Sequence, residues 1–380
     1  MSDEEELFRR AIGLAERGRG EVEPNPRVGA LALEGGRIVG EGWHGRYGGP
    51  HAEEQALERA GAAGRAADAM LVTLEPCCTE GGRKKRPPCT ELLIQAGIRR
   101  VLVGCVDPDA RHRGAGIERL RAAGVEVILP EHSAPLRAEL DGLLRMFLRS
   151  LALPRPWVLA KWAMTLDGKT ATRSGSSRWI SDPLALDYAH ELRAHSDAVM
   201  VGMGTVMADD PELTLRRVPG RQPLRVVVAP EGGLGAEARI FASEHPLLVL
   251  VGEELSRKRV RELEERGAEV LPCPELANPA GHRRLDMRQA MERIGQRGIR
   301  RLLLEGGGGL VWDSFQAGCL DQVLALIAPK LCGGAKAATS MTGTGITRME
   351  EALLLEETYD RPLGRSLLFG GFVPEDSGTR

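Results

Sequence analysis

The sequence predicts an α/β protein of two domains, and three observations carry that prediction. Short apolar runs rich in Val, Ile and Leu alternate along the chain with helix-patterned segments, the alternation that builds a largely parallel sheet covered by helices. A helical stretch at 131–151 is broken by "PRP" at 154–156, after which a new strand begins, so the chain is divided into 1–148 and 149–380. The length of 380 residues suits two or three domains, with 42% hydrophobic and 27% charged residues, as in ordinary globular proteins.

Residues 4–18 form the first helix, with Leu7, Phe8, Ala11, Ile12, Leu14 and Ala15 at helical spacing. "VGALALEGGRIVGEGWH" (28–44) reads as two strands turning at Gly35-Gly36. "HAEEQALERAG" (51–61) is a helix opening just after Pro50. "AMLVTLEP" (69–76) is a strand, "TELLIQAGI" (90–98) a helix and "RRVLVGCV" (99–106) a strand, and "GIERLRAAG" with "VEVILP" repeats the beat to residue 130. The second half restarts with "WVLAKWAMTLDGKTA", a strand and turn, then the helix "PLALDYAHELRAHSD" and, in "AVMVGMGTV", a strand ending in glycine. "PLRVVVAP", "PLLVLVG", "AEVLP", "RRLLLEGGGGL", "QVLALIAPKL" and "LLFGGFV" are further strands.

A net charge of −2 gives no global pull toward nucleic acid or anionic membrane. No apolar run approaches the ~20 residues that span a bilayer, and the acidic start "MSDEEE" is unlike a signal peptide, so a cytoplasmic protein is expected. Seven cysteines, an odd number, argue against a disulfide scaffold. In a reducing compartment clustered cysteines bind metal or do catalysis.

Such a cluster stands in "EPCCTEGGRKKRPPC" (75–89). Cys77 follows a strand and Cys89 precedes a helix, while His51 and Glu53 open an earlier helix. One imidazole and two thiolates hold Zn2+ with a fourth position left for water, whereas structural sites supply four protein ligands. Glu53 is placed to take a proton from water activated by zinc and to hand it to a leaving amine, the pattern of zinc deaminases. A structural zinc with Cys78 as fourth ligand competes with this reading. Adjacent residues rarely both reach one metal, so Cys78 is read as a neighbour. No C-x-x-C redox pair is present, and eleven residues (78–88) separate Cys77 from Cys89 where the general deaminase pattern has two.

"PNPRVGA" (24–30), "GEGWH" (40–44), "GGPHAE" (48–53), "TLEPC" (73–77) and "PPC" (87–89) resemble, in order, the bifunctional deaminase/reductase family of bacterial riboflavin biosynthesis. "KWAMTLDGKTATRSGSSRWIS" (161–181), "ELRAHSDAVMVGMGTVMADDPELTLR" (191–216), "LLLEGGGGL" (302–310) and "APKLCGG" (328–334) resemble that family's reductase half. The resemblance implies a cytidine-deaminase-like three-layer α/β/α domain followed by a dihydrofolate-reductase-like α/β domain. It implies hydrolytic deamination of a diamino-ribosylamino-pyrimidinone 5′-phosphate, then reduction of the ribosyl group to ribityl by NADPH. Position by position it implies His51, Cys77 and Cys89 as zinc ligands, Glu53 as proton shuttle, and Asn25 and His44 at the pyrimidine. In the reductase it implies Ala163, Trp179, Thr205 and Asp209 at the cofactor, and Ser177, Arg193, Leu213, Arg216 and Glu305 at the substrate. Lys161 and Asp167 are expected near hydride transfer. The glycines Gly306 to Gly309 follow a strand and would let backbone N–H groups approach a phosphate, so Gly307, Gly308 and Gly309 are read as cofactor-binding. The ligand is expected to be a small pyrimidine ribotide, with no nucleic acid or membrane partner, and the protein a homo-oligomer.

Departures from the family pattern fall on the deaminase substrate side. Cys78 stands where the family has Ser, the following loop gains three residues, Asp109 stands where an Asn is expected, and Gly114-Ala115-Gly116 lacks a basic residue. They leave open a shifted binding mode, another pyrimidine, or a relative active only as the reductase. A nucleic-acid-editing deaminase shares the zinc motif but calls for a basic groove. One of Arg83, Lys84, Lys85 and Arg86 is expected to grip the substrate phosphate.

Overall fold

The structure, a computed structural model, describes residues 3–78, 87–276 and 283–375. The chain divides between Leu153 and Pro154 into two compact units. The expected phosphate grip at 83–86 lies outside the described residues.

The first unit runs α1 (Asp3–Ala15), β1 (Gly29–Glu34), β2 (Arg37–Trp43), α2 (Ala52–Ala62), β3 (Ala69–Leu74), α3 (Cys89–Gln95), β4 (Arg100–Cys105), α4 (Ala115–Ala122), β5 (Glu126–Ile128) and α5 (Ala134–Ala152). Gly35 and Gly36, with φ of 54° and 81°, make the left-handed turn that a two-residue hairpin needs. The sheet order is β2-β1-β3-β4-β5. β1 is antiparallel to β2 and β3, and β3, β4 and β5 are parallel. Successive side chains of a strand point to opposite faces. Leu31 and Leu33 therefore join Phe8, Leu14, Leu136 and Leu140 under α1 and α5. Ala30 and Ala32 join Ala52, Ala56, Leu93 and Leu120 under α2, α3 and α4. The result is three layers, with the carboxyl ends of β3 and β4 side by side. Open α/β sheets bind ligands in the crevice outside such ends.

The second unit runs β6 (Trp157–Thr165), α6 (Pro183–Ala194), β7 (Ala198–Gly202), α7 (Met203–Asp209), β8 (Leu224–Val228), β9 (Leu247–Gly252), α8 (Arg257–Glu264), β10 (Ala268–Cys273), the short pair β11 (Glu275–Leu276) and β12 (Arg284–Leu285), α9 (Met287–Gly295), β13 (Arg301–Leu304), α10 (Gly308–Gln316), β14 (Gln322–Ala328), β15 (Glu356–Leu363) and β16 (Ser366–Phe372). Its main sheet has the order β10-β9-β8-β7-β13-β6-β14-β16-β15, parallel as far as β14 and antiparallel in the last two pairings. The parallel strands are buried on both faces and so read as continuous apolar runs. "LLVLVG" of β9 is buried at every position. Asp182 caps α6 by accepting the Ala185 N–H, with Pro183 in the first turn.

Three elements differ from the sequence reading. The strand in "AVMVGMGTV" ends in glycine, at Gly202, the last residue paired with β8, and what the sequence reading lacks is the helix Met203–Asp209 that follows, with Val206 turned into the core. "RRLLLEGGGGL" is a strand only to Leu304, and its last glycines open α10. β15, "EETYDRPL", has no fully buried position and so no apolar run, as befits a strand at the edge of its sheet.

Candidate active sites

Glycine and alanine position the first site. A Cβ at Gly42 would strike the Ala52 carbonyl, and one at Gly40 the Ala56 carbonyl. With Ala52, Ala56 and Ala60 as the buried face of α2, the helix lies directly on β2. His51 is the N-cap residue of α2, and its side chain makes no cap hydrogen bond. Its Nδ1 lies 3.2 Å from Cys89 Sγ and 3.6 Å from Cys77 Sγ. Cys89 opens α3, and its N–H donates to Cys77 Sγ at 3.4 Å. The Thr90 N–H and hydroxyl both donate to the Cys77 carbonyl, at 3.1 and 3.3 Å.

These residues fit zinc. The three ligand atoms lie within 4.8 Å of one another. A tetrahedral zinc with usual Zn–S and Zn–N lengths places N and S roughly 3.5 Å apart, and the two separations bracket that value. The Cys89 thiol is pushed well up, first by its hydrogen bond with Cys77, then by burial and by Glu53. Several potential anions thus crowd a space that a cation would neutralise. Cys78 lies outside the three-residue group.

Glu53, in the first turn of α2, is 3% exposed. Burial raises its pKa, the charge of Cys77 adds to the rise, and His51 opposes it. His44, whose ring centroid lies 5.2 Å from that of His51, is buried, with Nδ1 3.0 Å from the Pro50 carbonyl and Nε2 3.3 Å from Asn25 Nδ2. A carbonyl only accepts, so Nδ1 carries the proton and Nε2 accepts from the Asn25 amide. Burial, then His51, lower His44 to about 4, which keeps it neutral. Asp109 is held at about 2, first by its hydrogen bonds with Arg111, whose Nε lies 2.9 Å from Oδ1 and 3.0 Å from Oδ2. The carboxylate that stands in place of an Asn therefore engages its own loop.

In the second unit Glu305, just past β13, is the centre of a buried ion cluster. Lys161 Nζ on β6 lies 3.1 Å from its Oε1, and Arg193 Nη2 on α6 lies 2.6 Å from its Oε2. Burial alone would raise Glu305, but Arg193 and Lys161 outweigh it and hold the carboxyl at about 2. One helical turn before Arg193, His190 Nδ1 accepts the Arg216 N–H at 3.4 Å, and Arg193 Nη1 donates to the Thr214 carbonyl at 3.4 Å. α6 thus holds the segment carrying Leu213 and Arg216. Leu213 is buried with φ of 57°.

The expected cofactor and substrate residues touch. Ser177 Oγ, of the substrate set, lies 3.1 Å from Asp209 Oδ1, of the cofactor set, and within the cofactor set the Gly307 N–H donates to Thr205 Oγ1 at 2.9 Å. At Gly308 a Cβ would meet Thr342 and the Thr339 carbonyl, so this glycine lets segment 339–342 cross the start of α10. Trp179, 65% exposed, and Ser177 line a cavity of about 320 Å³ together with Thr165, Lys169, Lys330 and Cys332. Ala163, Thr205 and Gly307 to Gly309 lie outside its lining. Asp167 ties the rim: it accepts from the Thr165 hydroxyl at 2.6 Å and from the Cys332 and Gly333 N–H groups at 3.0 and 2.6 Å. Sequence reasoning passed over His190, whose one signal is its i, i+3 spacing from Arg193.

Comparison with known proteins covers both units. Residues 1–105 match the cytidine and deoxycytidylate deaminase zinc-binding region, and residues 156–363 match the RibD C-terminal domain. The chain is 37% identical over 366 residues to riboflavin biosynthesis protein RibD of Actinobacillus pleuropneumoniae, covering 96% of this chain and 93% of that protein. It is 36% identical to RibD of Aquifex aeolicus, covering 94% and 95%. Among solved structures, Acinetobacter baumannii RibD superposes with a TM-score of 0.67 at 30% identity, over 97% of this chain and 98% of that one. A Thermotoga maritima diaminohydroxyphosphoribosylaminopyrimidine deaminase/5-amino-6-(5-phosphoribosylamino)uracil reductase superposes with a TM-score of 0.62 at 32% identity, with the same coverage.

Proposed function

The chain belongs to the RibD family of riboflavin-biosynthesis proteins, which join a deaminase to a reductase, and on that premise we propose which residues carry its two reactions. In the first, water displaces the 2-amino group of 2,5-diamino-6-ribosylamino-4(3H)-pyrimidinone 5′-phosphate and ammonia leaves. His51, Cys77 and Cys89 hold the zinc. When bound there, zinc supplies a Lewis acid that makes water ionisable near neutral pH. Glu53 takes up the proton and delivers it to the departing amino group. His44, neutral and fixed by Pro50, orients the Asn25 amide so that its carbonyl oxygen is left to meet the ring edge.

In the second reaction the ribosyl group is reduced to ribityl. When bound, NADPH supplies the hydride. Ala163, Trp179, Thr205, Asp209 and Gly307 to Gly309 hold the cofactor. Ser177, Leu213, Arg193 and Arg216 meet the substrate, with Arg216 at its phosphate, where a guanidinium grips two oxygens at once, while Arg193 turns Nε and Nη2 to Glu305 and Nη1 to the Thr214 carbonyl. Glu305 fixes Arg193 and Lys161 against each other, so that neither cation must be ordered when substrate arrives.

The observation that carries this reading is the His51–Cys77–Cys89 cluster with the buried Glu53 beside it. The test is Glu53→Gln. Ammonia release is expected to fall by about 10²–10⁴-fold, the usual worth of a general acid–base, with zinc content and NADPH oxidation on the deaminated substrate unchanged. Ammonia release at the unaltered rate removes Glu53 from the reaction.

A further inference from the structure

Glu75 carries no role in the reactions as described, yet it is 5% exposed and accepts four backbone N–H groups from one loop. Its Oε2 accepts from Asp107 and Gly114, both at 3.0 Å. Its Oε1 accepts from Gly116 at 2.8 Å and Ile117 at 3.3 Å. One carboxylate therefore closes both ends of the segment that leaves β4 and enters α4. Gly116 and Ile117 lie in the first turn of α4, where the helix dipole favours a negative charge. The cap residue Gly114 brings no side chain of its own, so the helix start is satisfied from β3 instead.

Glu75 itself stands two residues before Cys77, and its backbone N–H donates to the Cys105 carbonyl at 2.8 Å, extending the β3–β4 ladder toward the site. A Cβ at Gly116 would strike the Pro76 carbonyl, so the loop is seated against the Glu75-Pro76-Cys77 segment itself. Loop and ligand segment leave adjacent parallel strands at their carboxyl ends, on the crevice where such folds take ligands. We propose that Glu75 is a positioning residue of the deaminase, a latch that holds loop 107–117 against the zinc-ligand segment and so sets how tightly the pyrimidine ribotide is held. The latch rests on the deaminase reading of this unit. It acts on binding through the loop and touches neither the reacting carbon nor the proton in transit.

The test is Glu75→Gln in the full chain. The amide keeps the shape but turns an NH₂ toward two N–H donors. The deaminase KM is expected to rise at least about tenfold, the scale of losing a charge-assisted hydrogen bond, while kcat changes by less than about threefold. Zinc content and reductase kinetics stay as they were. An unchanged KM overturns the latch, as does a fall in kcat at constant KM. Loss of zinc from a folded variant overturns it too, because the carboxylate would then serve the ligand segment. If the first unit of the variant does not fold, seen as loss of its unfolding transition by calorimetry, Gly114→Ala decides. That residue has φ of 80° and open space around its Cβ position, so the change strains the loop end without a collision. The same rise in KM alone is expected, and an unaltered KM overturns the proposal. An unsubstituted protein that releases no ammonia overturns the deaminase reading and the latch with it.

Discussion

His190 is buried among Arg193, Arg216, Arg217 and Glu305, and this makes it an acid-sensitive point of the second unit. Burial first, then Arg193, lower it from 6.5 to about 4. A group with a depressed folded pKa binds its proton more weakly folded than unfolded. The stability it leaves intact above 6.5 is therefore lost as pH falls toward 4, by about 3 kcal/mol at most for such a shift. Replacing His190 by Asn, which still offers an acceptor to the Arg216 N–H, is expected to flatten the decline across that window by roughly 1–3 kcal/mol, read by urea unfolding at a series of pH values. Parallel curves for the two proteins would contradict it. Glu305 has a separate window, with its stability present above 4.5 and lost as pH falls toward 2. At this scale the candidate zinc site was legible because its would-be ligands His51, Cys77 and Cys89 and the acid Glu53 are chemically distinctive residues at element junctions. Glu75 and His190 were not, because an acid before Pro-Cys and a histidine inside a helix say nothing of distant backbone partners. The N–H groups that Glu75 accepts lie 32 to 42 residues away in sequence.

The element that governs the deaminase is α2. Its N-cap is His51 and its first turn carries Glu53, and its seat depends on two glycines of β2. Gly42→Ala puts a methyl group against the Ala52 carbonyl, so the helix must rise off the strand. Overpacking of this kind costs about 1–3 kcal/mol. Dialysis against a weak chelator is expected to strip zinc from this variant faster than from the unsubstituted protein, with deaminase activity falling in step and reductase activity kept. Equal zinc retention would show that the close approach is dispensable. The hairpin of β1 and β2 was legible from Gly35-Gly36, because that turn demands residues free to take positive φ. The helix α7 was not, because "MGTVMAD" is too short for helical periodicity to show it. β15 escaped for the opposite reason: an edge strand with exposed charges has no apolar run to reveal it.

At the scale of the molecule, each unit has its own sheet, its own hydrophobic clusters and its own candidate site. The α/β class followed from strand–helix alternation, and "PRP" pointed to a break, but the division read at 148/149 falls inside α5 and the two units part between Leu153 and Pro154. The assignment of two successive reactions came from motif resemblance, which the family matches over both units bear out. The departures at Asp109 and Ala115 bear on the first reaction alone, so the first reaction is the one to measure. The decisive measurement is the mass of the product when the purified protein meets the diaminopyrimidine ribotide with and without NADPH. The account predicts that without NADPH the amino group is replaced by oxygen and ammonia is released. With NADPH the deaminated compound gains a further pair of hydrogens as NADPH is oxidised. Recovery of unchanged substrate without NADPH, and of a reduced product that still carries its 2-amino group with NADPH, would contradict it.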